Sequence, residues 1–356
     1  MAHSAVDVIS TAFDHTRQQL AQPFRWGQWV RLAALALATG ELSSGGGCSN
    51  AWSRLGGLSN APHPSQNFID PKDVLRGIDP ALIGTLLMVA LIGGLVLMLV
   101  WIYVSSISRF VLFDAVLRKR CDSLSAGWQR WQRPGMSYFW WQLALAIVSM
   151  GVAAVLFLPL LLPVLAALKN HRHLGPELML AFLPMALVFG IFGLGMLVLV
   201  VLAKDFVVPI MAVDGVGVME GWRRLLDRLK AEKAGFAGYL GMKVVLSIGA
   251  SVVFGIMSGI AALVVIIPVG IAAGVILIVC KGAGLGWNAF TITAAIVAGT
   301  LILVLLFCVI ALVCVPVAVF FPAYAMYFLA DRFPPLHARL YPAAPPLPIP
   351  PPAPAG

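Results

Sequence analysis

Few residues in this chain could carry chemistry, and their spacing limits what it would be. Four acids, Asp114, Asp205, Asp214 and Glu220, flank apolar segments. They would serve an interfacial enzyme if two of them met a base or a metal in one cleft. His171-Arg172-His173 puts two imidazoles in one turn, too few ligands for a metal site by themselves. Gly282-Ala283-Gly284-Leu285-Gly286 has the glycines of a phosphate loop without the Lys-Ser/Thr that would follow. The cysteines Cys48, Cys121, Cys280, Cys308 and Cys314 form no C-x-x-C, so they read as small packing residues rather than a disulfide framework. Hydroxyls such as Ser247, Ser251, Thr291 and Thr300 have no His or acid beside them for nucleophilic work. We therefore assign no catalytic, cofactor-binding or metal residue from the sequence.

The segments that would position such groups explain the scarcity. Hydrophobic residues make up 60% of the chain and charged residues 11%, with a mean hydropathy of +0.94. A soluble domain carries about 25% charged residues, so this chain must present apolar surface to lipid. The net charge of +9 sits beside apolar runs and not on an extended polar face. That excludes a nucleic-acid partner and makes anionic lipid head groups the expected counter-charge.

A crossing needs about 20 mostly apolar residues. Residues 82–104, 139–168, 178–203 and 289–321 meet this. The run 240–280 is too long for one straight crossing and is divided by Pro268, which predicts a kinked span that overshoots the bilayer or a re-entrant end. Residues 29–42 are short and carry Arg31; they are read as a first span with that arginine snorkelling, against a signal peptide as the rival. The runs 82–104, 143–168, 178–203, 244–280 and 289–330 contain no Asp, Glu, Lys, Arg or His. This weighs against a proton relay inside the membrane. Lys243 is expected to reach the interface, and Lys204 and Asp205 to form a local pair. Of the 24 Lys and Arg, 18 fall on one set of connecting segments, a positive-inside bias that places both termini in the cytoplasm.

Three stretches, 16–29, 127–141 and 221–240, repeat one order: Trp and basic residues running into an apolar segment. The expected fold is thus all-α and integral to the membrane, with six transmembrane helices in three interfacial-helix-plus-hairpin repeats. Residues 1–333 form a single polytopic domain with an outer loop at 43–80, and 334–356 a Pro-rich disordered tail. Amphipathic stripes at 5–20, 123–133 and 220–233 would lie in the head-group zone or pack on span ends. The residues expected to meet lipid are Trp128, Arg130, Trp131, Trp222, Arg223, Arg224 and Arg228. Gly255 with Gly259, and Gly270 with Gly274, have the spacing of close helix contacts, within the chain or between copies.

Asp205-Phe206-Val207-Val208-Pro209-Ile210-Met211-Ala212-Val213, followed by Glu220-Gly221-Trp222-Arg223-Arg224-Leu225, resembles a recurring stretch of a bacterial six-span group. That group includes the membrane domain fused to some glycerophosphoryl diester phosphodiesterases. Phe320-Phe321-Pro322-Ala323-Tyr324 echoes it, and Phe110 to Ala115 more loosely. The related pattern often places Ser where this chain has Leu225. The resemblance implies a fold and a bacterial inner-membrane location, not an activity. The function expected is a non-enzymatic membrane scaffold or accessory protein contacting anionic lipid, with a protein partner or a second copy left open. The alternative is a passive or lipid-like transporter with a continuous pathway through a glycine-lined centre.

Overall fold

A computed structural model describes residues 4–41, 80–121, 123–169, 176–282 and 289–341. These residues form helices and no strand. In chain order they are α1 (Asp7–Ala21), α2 (Trp26–Thr39), α3 (Pro80–Leu117), α4 (Leu124–Lys169), α5 (Pro176–Leu202), a π-turn (Ala203–Val207), α6 (Val208–Asp214), α7 (Val218–Ala231), α8 (Lys233–Gly282), α9 (Ala289–Val313), α10 (Val315–Ala330) and α11 (Pro334–Leu340).

Burial divides the molecule into two zones. Five helices are long and apolar enough to cross a membrane, and at most 17% of their apolar windows is buried. Side chains such as Leu91, Leu97, Leu187, Ile248, Ile256 and Leu301 stand fully outward along them. Surface of this kind is stable only against lipid or another protein. The ends of the same helices, together with α1, α2, α6, α7, α10 and α11, enclose one compact core centred on Ile107, Phe110, Phe206, Tyr239, Tyr324 and Phe328. The protein is a packed cap from which apolar helices project.

The α3–α4 hairpin shows how the cap forms. Gly135 lets the two helices touch backbone to backbone: a Cβ there would lie 2.7 Å from Ile107 Cγ1 and 3.1 Å from its Cα. Phe110 then stacks on Trp131 at 5.9 Å and meets Tyr138 edge-on. α1 starts with a Ser4–Asp7 capping exchange and is clipped in place by His15. Nε2 of His15 lies 2.9 Å from the Val116 carbonyl, which can only accept, so this nitrogen carries the proton. Nδ1 accepts from the Tyr327 hydroxyl at 2.9 Å. Burial, reinforced by the charge of Lys119, lowers the imidazole from its ordinary value to about 4. His15 therefore sits neutral between α1, α3 and α10.

Several expectations are corrected here. The helix of the first expected span stops at Thr39. Its 14 residues extend about 21 Å, short of a bilayer core of about 30 Å. α2 instead runs antiparallel beside the buried half of α3: Gln28 donates to the Lys119 carbonyl, Arg31 to the Cys121 carbonyl, and Ser105 to the Thr39 carbonyl. Arg31 does not snorkel to lipid. Of the three repeated stretches, the first and third each hold two helices, whereas the second lies within the single helix α4. α8 runs through Pro268 to Gly282 as one helix, in line with the overshooting alternative and against the re-entrant one. The Pro-rich tail was expected from 334, but residues 334–340 are helical and bury Leu336, because prolines at the first helical positions lack only N–H groups that would be unpaired anyway. Arg339 ties this helix to the Val213 carbonyl at 2.8 Å. A Cβ at Gly259, Gly270 or Gly274 would meet nothing within 4 Å, so these glycines make no close contact with the described residues. Cys314 is disulfide-bonded, against the reading of the cysteines as packing residues alone. The expected outer loop 43–79, His171 to His173, the glycines 283–286 and residues 342–356 lie outside the described residues.

Candidate functional site

The seven residues expected at the lipid surface separate into two groups. Trp131 stacks into the α3–α4 contact, and Trp128 packs edge-on against Tyr103 at 5.9 Å. Trp222 lies 5.7 Å from Trp141, where α4 leaves the cap. Arg228 covers the Phe333 ring at 4.5 Å. Arg224 binds both Asp214 and Glu220. These five are occupied inside the protein. Arg223 and Arg130 are exposed, and Arg130 reaches Asp114 at 3.5 Å.

The amphipathic stripe of α7 explains the division. Leu225 is fully buried and Trp222 partly so, which makes α7 a helix packed on span ends. Its outward face carries Met219, Arg223, Leu226 and Lys230 at helical spacing. Trp222 against Trp141 puts this face where α4 passes from cap to exposed apolar surface, the level at which amphipathic rings are favoured.

Beneath that level the cap holds a buried charge cluster. Pro209 removes a donor four residues after Asp205, and the helix widens ahead of it, so that Val208 bonds to the Ala203 carbonyl. Lys204 and Asp205 thereby face different neighbours. Lys204 pairs with Glu41, beyond the left-handed Gly40 (φ 72°) that ends α2. Asp205, 4% exposed, accepts from Lys243 and, at 2.9 Å, from the Tyr239 hydroxyl. Arg109 completes the group and donates to the Tyr138 hydroxyl at 2.9 Å. A cavity of about 30 Å³ between Glu41, Arg109, Lys204 and Asp205 has room for a water or two. Tyr239 stacks on Tyr324 at 5.0 Å and packs on Phe206 at 4.9 Å, which walls the ion pairs off from water. The cluster joins α2, α3, the π-turn and α8 through charge, so the expected Lys204–Asp205 local pair and the snorkelling Lys243 are both replaced.

Sequence reasoning gave Glu41 no role, and no local pattern marks Tyr138 and Tyr239 as partners of buried charges. The acids once considered for catalysis are dispersed: Asp114 lies with Arg118 and Arg130, Asp214 and Glu220 share Arg224, and Asp205 sits in the buried cluster. Among the described residues no group of three or more His, Cys, Asp or Glu could hold a metal.

A family of unknown function, DUF7544, matches residues 3–338. The chain belongs to that family. No curated protein and no solved structure matches it, and the family match carries no likeness to glycerophosphoryl diester phosphodiesterases. The matched residues include both the projecting helices and the cap.

Proposed function

We propose that this protein is a non-enzymatic accessory or scaffold protein of a bacterial cytoplasmic membrane that engages anionic lipid through its cap. The observation that supports it best is the outward face of α7: Met219 is 72% and Leu226 42% exposed, beside exposed Arg223 and Lys230, at the level of Trp141 and Trp222. Apolar side chains enter the acyl boundary there while the cations meet phosphates. The Lys and Arg bias puts the cap on the cytoplasmic side. Tyr324 donates to the Ala5 carbonyl at 3.1 Å, which ties the start of α1 to α10 in the cap. No cofactor, metal or nucleic acid enters this reading. The open glycines of α8 suit a second copy or a protein partner in the membrane, and the likeness to phosphodiesterase membrane domains remains one of sequence pattern.

The test is lipid retention by the full chain purified from its native membrane. Arg223→Glu with Lys230→Glu should at least halve the anionic lipid retained relative to zwitterionic lipid. Unchanged retention overturns the proposal.

A further inference from the structure

A second cationic feature lies apart from α7. Arg25, Arg118, Lys119 and Arg120 line a groove of about 290 Å³ between the α1–α2 connection and the end of α3. The remaining lining is glutamine amide and Pro23, with no carboxylate. Arg118 is tied to Asp114 at 2.8 Å, whereas Arg25 and Arg120 make no ion pair among the described residues. Apart from Asp114 on Arg118, no carboxylate among the described residues answers these charges, and an anion relieves their mutual repulsion.

The backbone of this groove is itself unusual. Lys119 is the one non-glycine residue at positive φ (55°) among the described residues. That conformation is unfavourable for a side chain with a Cβ. The surroundings hold it: the Lys119 carbonyl accepts from Gln28 at 3.3 Å, and its ammonium donates to Gln18 at 2.8 Å. Lys119 thus ends α3 in the left-handed conformation common at helix C-termini, and this fixed turn presents residues 118–120 to the groove. The groove also lies beside the end of a membrane helix: Trp29, next to Gln28 on α2, donates to the Leu312 carbonyl in the last turn of α9 at 3.0 Å. A soluble phosphate and a lipid head group share the chemistry, and nanodisc lipid composition separates them.

We propose that the groove between α2 and the end of α3 binds a small soluble ligand bearing a phosphate dianion. Arginines fork onto two oxygens at once, and the glutamine amides can donate to a third. The volume is near the lower end for small-molecule sites, which suits inorganic phosphate or a compact phosphomonoester. This assignment is independent of the α7 lipid contact.

The experiment measures thermal unfolding of the full chain in neutral detergent at pH 8. Inorganic phosphate is titrated against chloride at matched ionic strength. Phosphate should raise the transition temperature saturably where chloride does not, and Arg25→Gln with Arg120→Gln should weaken the half-saturating concentration at least tenfold. Because neither arginine makes an ion pair among the described residues and their loss relieves repulsion, the double variant should melt at or slightly above the parent's temperature without phosphate. Arg223→Glu with Lys230→Glu should leave the phosphate response intact. An equal response to chloride, or a double variant that still responds like the parent, overturns the proposal. Loss of the phosphate response in nanodiscs of anionic lipid, but not of zwitterionic lipid, would assign the groove to a head group and overturn the soluble-ligand source.

Discussion

Replacing Lys243 with methionine should leave Asp205 nearly alone in the cap. Asp205 is 4% exposed, and its remaining donor would be the Tyr239 hydroxyl at 2.9 Å. A buried carboxylate stripped of its cation loses about 3–5 kcal/mol. For a domain of this size each kcal/mol moves the transition by about 2–4 °C, so Lys243→Met should melt roughly 10 °C lower in detergent. The second variant separates charge from packing. Asp205→Asn with Lys243→Met removes both charges and keeps an acceptor for Tyr239, so it should recover at least half of the loss. A double-mutant cycle on the full chain, read by tryptophan fluorescence during heating, gives the coupling directly. A drop below about 1 kcal/mol for the single variant, or losses that simply add in the double, would refute the claim that the pair is buried and mutually dependent.

Three further outcomes follow from the same structure. Gly135→Ala should lower the transition by a few degrees, because its Cβ meets the Ile107 backbone and the overpacking of about 1–3 kcal/mol exceeds the helix-propensity gain of about 1 kcal/mol. His15 has a folded value of about 4, below its unfolded value of about 6.5. The unfolded chain then binds more protons between these values, so this contribution is complete above pH 6.5 and lost as pH falls to 4. It amounts to about 3 kcal/mol, and denaturant melts of His15→Gln should flatten that part of the pH profile. Glu232 is held below the usual carboxylate range by two hydrogen bonds from Arg332, at 2.8 and 2.7 Å. Glu232→Gln should speed amide hydrogen exchange at the α7–α8 junction.

The apolar helices α3, α5 and α9 were legible because a run of about 20 residues without charge has few other uses. The cap was not, and the reason is physical. Glu41 meets Lys204 and Asp205 meets Lys243 across sequence distances that no local pattern encodes. An amphipathic stripe such as Trp222, Leu225 and Leu229 seeks any apolar surface, and only the depth of Leu225 in the core shows that protein, not lipid, satisfies it. α2 has the composition of a weak span, yet its buried Leu32, Ala33, Leu35 and Ala36 pack on neighbouring helices. At the C-terminal end, proline content suggests an extended chain, but Pro334 and Pro335 occupy helix-start positions.

Accessibility of single cysteines to a membrane-impermeant maleimide tests the two-zone account most directly. Asp227 is exposed on the cap, and Ile256 is 61% exposed on an apolar helix. Above the parent's background, Asp227→Cys should react in inside-out vesicles and not in intact cells, and Ile256→Cys should react in neither. Labelling of Ile256→Cys from water, or of Asp227→Cys from the outside, would contradict a cytoplasmic cap carrying lipid-embedded helices.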